Sequence, residues 1–336
     1  MQRPVKLCSA IDARKQAGPQ GVNKKHTGGS GMSKAGAVLE EVKKAVVGKD
    51  EVLVQVLLAI LAGGHILLED IPGVGKTTMA LAFSRALALE YNRVQFTPDV
   101  LPSDITGFSL YNKHTGAMEY QPGAVLCNLF LADELNRATS RTQSALLEAM
   151  EEGGVMVDGV THPVPQPFVV VATQNPAGAS GTQLLPDSQL DRFMVKLSMG
   201  YPTEESEVEL LRRRQGGAPL GSVRQVLGHD ELRALRTQVA GLYMNTAVMQ
   251  YIVRLVRATR RHAQVVQGAS PRATLALAAM AKAAAFARGC DYVAPRDVQA
   301  VFSCTIAHRL LLAPEAKSAQ DVCEEVLQGI KAPQLR

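Results

Sequence analysis

The stretch HILLEDIPGVGKTTM, residues 65–79, decides how this chain folds. Ile66-Leu67-Leu68 is a short apolar run with the character of a buried strand. It breaks into Pro72-Gly73-Val74-Gly75 and runs directly into Lys76-Thr77-Thr78 and a helical pattern, which is the layout of a phosphate-binding loop. Gly73 and Gly75 allow a turn tight enough for successive backbone N–H groups to face one concavity, and the helix dipole beginning near Lys76 adds positive potential there. In such a loop Lys76 reaches the terminal phosphates and the Thr77 hydroxyl binds Mg²⁺, so residues 72–78 are the expected nucleotide cradle. One position departs from the common G-x-x-x-x-G-K-[ST] pattern: Asp70 stands where the first glycine belongs.

Working outward, the runs Arg93–Phe96, Leu129–Ala132, Phe168–Ala172 and Phe193–Val195 join Ile66–Leu68 to make five short strand-like segments separated by helical ones. Strands apolar on both faces imply a parallel sheet covered on both sides, with ligands at the carboxyl ends of the strands. Upstream, Ser33–Leu61 has helical spacing interrupted at Val47-Gly48-Lys49. That turn, just ahead of the nucleotide strand, either packs on an adenine base or simply joins two helices. Two hairpins are expected as insertions, one turning at Lys113–Gly116 and one at Asp158-Gly159 within residues 153–167. The pattern lapses over 204–227, read as a linker. Residues 228–336 then look purely helical, with Pro271 and Pro295 at helix starts, where a missing N–H costs nothing.

Charge narrows the partners. The net charge of +5 resides in residues 1–31, which hold six of the 36 basic residues and one of the 31 acidic ones. The rest is balanced, which counts against a nucleic-acid partner. Residues 1–32 read as a disordered basic segment, and Met32, followed by a clean helical pattern, is a candidate natural start. No apolar run approaches the ~18 residues of a membrane span. The five scattered cysteines suit reduced thiols in a cytoplasmic protein.

The second decisive stretch is Leu129-Phe-Leu-Ala-Asp133-Glu134. Adjacent acids at a strand end place Asp133 as the second Mg²⁺ ligand and Glu134 as the carboxylate that polarises water for attack on the γ-phosphate. Ser140-x-x-Gln143 follows as a capping box for the next helix.

With these acids come Ala172-Thr-Gln-Asn175-Pro, Leu190-Asp191-Arg192-Phe193 and Gly268-Ala-Ser-Pro271-Arg272, and over residues 33–336 the chain resembles the MoxR family of AAA+ ATPases. Segments such as LLEDIPGVGKTT and LADELNRATSRTQSALLEAMEEG carry the likeness, including Asp70. The resemblance implies a five-stranded αβα P-loop domain over 33–203 and a helical lid over 228–336. It implies that Asn175 is the sensor-1 group holding the attacking water. Arg192 would be an arginine finger acting on a neighbouring subunit's γ-phosphate. Arg272 would be sensor 2, contacting the phosphates and coupling the lid to them. It implies a hexameric homo-oligomer using ATP and Mg²⁺ to remodel a client protein, with a von Willebrand factor A domain partner. A magnesium-chelatase-like motor subunit and a DNA-directed AAA+ motor are the alternatives.

Overall fold

The computed structural model describes residues 28–175, 185–215, 217 and 219–334. The disordered segment expected over 1–32 falls outside the described residues as far as 27, but the backbone is helical from residue 28. Helix α1 (Gly28–Ala45) therefore starts ahead of Met32, and α2 (Asp50–Leu61) follows after the Val47–Lys49 turn.

Five parallel strands form the central sheet: β1 (Ile66–Glu69), β2 (Tyr91–Gln95), β5 (Leu129–Asp133), β8 (Val169–Gln174) and β9 (Val195–Leu197). Their order is β2-β5-β8-β1-β9. The three central strands are apolar on both faces, so each must be covered twice, and all six residues of β8 are buried. Helix α3 (Lys76–Ala86) leaves the phosphate loop, and α5 (Ser140–Glu152) follows β5 after a turn of 3₁₀ helix. The apolar residues divide accordingly into two cores: Ile66 and Leu68 pack with α2 and α3 on one face, and Leu67 packs with Phe130 and Leu147 on the other.

Both hairpins form where expected: β3 (Gly107–Asn112) with β4 (Ala117–Pro122), and β6 (Gly154–Val157) with β7 (Val160–Pro163). Between β2 and β3 lies one short helix, α4 (Pro102–Thr106). The second hairpin turns through Asp158 (φ 50°) and Gly159 (φ 77°), the left-handed pair a two-residue turn needs. The stacked rings of Tyr120 and His162, 3.6 Å apart, join the two hairpins.

Three expectations are corrected. The helix α5 cap is Thr139, whose Oγ1 accepts from Thr142 N at 3.4 Å; Ser140 is already helical, and Gln143 turns back to the carbonyls of Leu135 and Ala138. The presumed linker contains helix α7 (Glu204–Gln215), which follows the short α6 (Asp187–Leu190) and β9. It escapes hydrophobic periodicity because none of its residues is buried. The helical region contains α8 (His229–Ala240), α9 (Thr246–Thr259), α10 (Pro271–Ala287), α11 (Pro295–Ile306) and α12 (Ala319–Gly329), but it is not all helical. It also holds a small antiparallel pair, β10 (Val265–Gln267) and β11 (Leu311–Leu312). Ser270, Asn245 and Ser318 cap α10, α9 and α12 with side-chain oxygens.

Candidate active site

The strand order determines the site. Because β8 lies between β1 and β5, the end of β8 separates the phosphate loop from the acidic pair, and Thr173 becomes their organiser. Its Oγ1 donates to Asp133 Oδ1 at 2.6 Å and accepts from Glu134 N at 2.8 Å. Arg93, on β2, donates to Asp133 Oδ2 at 2.7 Å. Glu134 sits at φ 56°, in the left-handed region that costs a non-glycine residue of order 1 kcal/mol. That turn is held by the Thr173 bond. Asn175 Nδ2 donates to Glu134 Oε1 at 3.3 Å and Arg137 Nη1 to Oε2 at 2.8 Å. The Asn175 backbone is itself gripped by Asn136, through N–H and C=O both. Arg137 foremost, with Asn175 assisting, keeps the Glu134 carboxyl below the usual range, so it is ionised at neutral pH.

The phosphate loop has the backbone its sequence requires. Gly73 (φ 87°) and Gly75 (φ 98°) are left-handed, and a Cβ on Gly73 would meet nothing within 4 Å, so the concavity is open. Lys76 Nζ folds back on the carbonyls of Asp70 (2.7 Å) and Ile71 (3.3 Å). Burial lowers its pKa, opposed by the carboxylates of Asp70, Asp133 and Glu134. A buried ammonium whose partners among the described residues are two carbonyls suits a phosphate. Two glycines around an open concavity and a hydroxyl–carboxylate pair of oxygen donors, Thr77 and Asp133, fit ATP with Mg²⁺.

Asp70 has a structural reason for replacing the first glycine. Its carboxylate accepts from Ser198 Oγ (2.8 Å), Met199 N (2.6 Å) and Gly200 N (3.0 Å), so it fastens the chain leaving β9 to the loop. Lys49, almost fully buried, clamps the same segment by donating to the carbonyls of Met199, Gly200 and Tyr201 at 2.6–3.0 Å. Beside it Gly48 (φ 70°) lies so close to α7 that a Cβ would sit 2.1 Å from Ser206 Oγ. Val47-Gly48 therefore belongs to the loop end of the sheet.

Arg192 and Arg272 are elsewhere. Both donate to one carboxylate, Glu151: Arg192 Nε at 2.8 Å and Arg272 through Nη2. Glu151 lies in the last turn of α5, which runs back from Glu134's end of the sheet. His65, immediately ahead of β1, donates to the neighbouring Met150 carbonyl at 3.2 Å. Four strand residues and a 13-residue helix separate the two ends, on the order of 15–20 Å. Arg272 thus contacts Glu151 beside Arg192, and this chain's own phosphate loop is out of its reach. Asp191 anchors this end: it accepts from Ser270 Oγ (2.9 Å) and from buried Arg309 (2.8 Å), whose Nη2 also donates to Phe193 O. Burial brings the Arg309 pKa down to about 10.

The sequence reading missed Thr173, Arg93, Lys49 and Glu151. Thr173 lay inside the quoted Ala172-Thr-Gln-Asn motif, whereas Arg93 and Lys49 carry no local signal because their partners are over 30 residues away in the chain.

Known proteins resemble this chain over most of its length. Residues 65–195 match the model of the ATPase family associated with various cellular activities (AAA), and residues 257–328 match the AAA lid domain. The chain is 43% identical over 302 residues to the uncharacterized protein YeaC of Bacillus subtilis, covering 89% of this chain and 94% of that one. It is 40% identical over 308 residues to Chaperone MoxR1 of Mycobacterium tuberculosis, covering 88% and 81%. A crystal structure from Cytophaga hutchinsonii superposes with a TM-score of 0.85 at 36% identity, covering 91% of this chain and 97% of that one. Loop, acidic pair, lid and relatives agree: the chain belongs to the MoxR family of AAA+ ATPases.

Proposed function

We propose that this ATPase works as a Mg²⁺-dependent homo-oligomeric ring, hexameric as in AAA+ assemblies, that spends ATP hydrolysis on remodelling a client protein in the cytoplasm. A von Willebrand factor A domain protein is its expected companion. The observation that carries this reading is the separation of Arg192 and Arg272 from Lys76 within one fold. One chain presents the phosphate loop, acids and Asn175 at one end of its sheet and two arginines at the other. A complete site then needs the arginine end of a second copy, and head-to-tail repetition of such a contact closes into a ring. The name of the M. tuberculosis relative supports a chaperone role.

In this site Lys76 and the 72–78 backbone bind the phosphates, and Val47-Gly48 flanks the base. Thr77 and Asp133 would hold Mg²⁺, which would supply neutralisation of phosphate charge. Asn175 and Glu134 orient the attacking water, Glu134 accepting its proton. The partner's Arg192 stabilises charge on the γ-phosphate, and the partner's Arg272 ties the lid to the same phosphates. The test mixes two inactive chains. Arg192→Ala and Lys76→Ala alone should each lose about 10³-fold or more in turnover. Mixed at random in equal amounts, they should regain a measurable fraction, because about a quarter of the junctions pair an intact loop with an intact finger. No recovery in assemblies shown to contain both chains would sink the shared site.

A further inference from the structure

Helix α7 is fixed on one side only. Ser206 lies against Gly48, and Arg213 donates to the carbonyls of Lys43 and Lys44 at the end of α1 (2.7 and 2.9 Å), held by Glu209 at 2.8 Å. Ser206, Glu209 and Arg213 share one helical face. The opposite face carries Glu204, Glu207, Val208 and Leu211, with Arg214 at its C-terminal end, all exposed, Leu211 at 69%. Tyr201, just before the helix, is 77% exposed. Two carboxylates and two aliphatic side chains thus project from the phosphate-loop end of the chain with no cover among the described residues.

At the other end of the chain a groove of about 490 Å³ lies between the end of α2 and helices α8 and α10. Leu61, Val239 and Ala278 floor it, and Leu275, 74% exposed, stands at its rim. Its charged groups are cationic. Lys282 donates to Ala240 O at 2.5 Å, and Arg236 Nε donates to Ile60 O at 2.8 Å. Arg236 Nη2 is buried and has no hydrogen-bond partner among the described residues. A buried guanidinium nitrogen left unpaired costs free energy that an arriving carboxylate recovers. Leu275 is one turn beyond Arg272 on α10, so the groove adjoins the arginine end of the molecule.

We propose that the outer face of α7 in one copy of this chain seats in the α2/α8/α10 groove of the next, Val208 and Leu211 on the apolar floor and Glu204 and Glu207 toward Arg236 and Lys282. This rests on the shared-site reading, since the two surfaces lie at the two ends that reading brings together. The Glu204–Glu207 end of the helix is opposite in charge to the groove, both surfaces combine apolar and ionic groups, and neither is covered among the described residues. The contact is heterologous and joins each base-binding edge to its neighbour's lid. It makes ring assembly sensitive to lid position.

The test uses the full chain carrying Glu134→Gln with ATP, with assembly followed against concentration by sedimentation velocity. Leu211→Asp and Leu275→Asp, both at exposed positions, should each raise the half-assembly concentration by about tenfold or more. Glu207→Lys and Lys282→Glu should each weaken assembly, and the two together should restore it. Normal assembly in all four single variants, or no restoration in the pair, overturns the proposal while leaving the shared site standing. Absence of ATP-dependent assembly in the parent chain overturns both.

Discussion

The two ends of the central sheet are both built from paired charges, yet they are held in different ways. At the carboxyl end, Asp133 and Glu134 are fixed by short-range bonds from neighbouring strands, with Thr173 serving both and Asn136 gripping Asn175. At the amino end, Arg192 and Arg272 share one partly exposed carboxylate, and Glu151 is kept ionised by Arg192 first and Arg272 second. The first arrangement is preorganised, so its groups need no movement to act. The second is weak: exposed ion pairs are worth about 1 kcal/mol or less, so on the proposed shared-site reading a phosphate would compete readily for both guanidinium groups.

The largest test of that contrast removes the proposed base from the preorganised end. Glu134→Gln should lower turnover about 10²–10⁴-fold while ATP still binds, measured by phosphate release against nucleotide titration. Equal turnover would show that the carboxylate end is not the hydrolytic one. Thr173→Val deletes the organiser but no reacting group. Turnover should fall about tenfold to a hundredfold, with about 1–3 kcal/mol lost in denaturant unfolding, because Asp133 and the Glu134 N–H both lose a buried partner. If Thr173→Val were silent, Arg93 and Asn175 alone would suffice to hold the acids.

A third effect reads the amino end by pH. His65 accepts from Val170 N at 3.0 Å and donates to Met150 O, and burial lowers its pKa to about 4. Because the folded pKa lies below the unfolded one of about 6.5, the unfolded chain binds the proton more readily in between. Stability should therefore fall as pH drops from about 6.5 towards 4, by up to about 3 kcal/mol from this group. Melting curves of His65→Gln should show a shallower acid dependence over that window; an identical slope would assign it to other groups, buried His308 (lowered to about 3) first. The smallest effect should come from Glu151→Ala. It should leave stability within about 1 kcal/mol and change turnover only a few-fold, since the arginines lose a resting partner and keep their reach. A collapse of activity would make Glu151 part of the working site and end the distinction between the two ends.

Much of the carboxyl end was legible in the chain. A phosphate loop and an acidic pair are each contiguous, because one strand and the turn after it suffice to present them, so Gly73, Gly75, Lys76, Asp133 and Glu134 could be named from local pattern. Asn175 and the two arginines could be named only through family resemblance. Where they lie was not readable, since chain spacing does not say which end of a sheet a turn occupies. Helix α7 was missed for a plainer reason: it buries nothing, so it leaves no apolar period.

The sequence by itself determined the five strands, the two hairpins and the residue types each motif offers, because these depend on periodicity and on turns a few residues long. The tertiary structure alone decided which of those groups meet. Inserting β8 between β1 and β5 made Thr173 the hub of the acids. Return of α5 to the opposite end of the sheet put Glu151, Arg192 and Arg272 together. Clamping of the 198–201 segment gave Asp70 and Lys49 their purpose. Strand order and helix direction are set by how the whole set of apolar faces can be buried at once, and no single stretch of sequence contains that information.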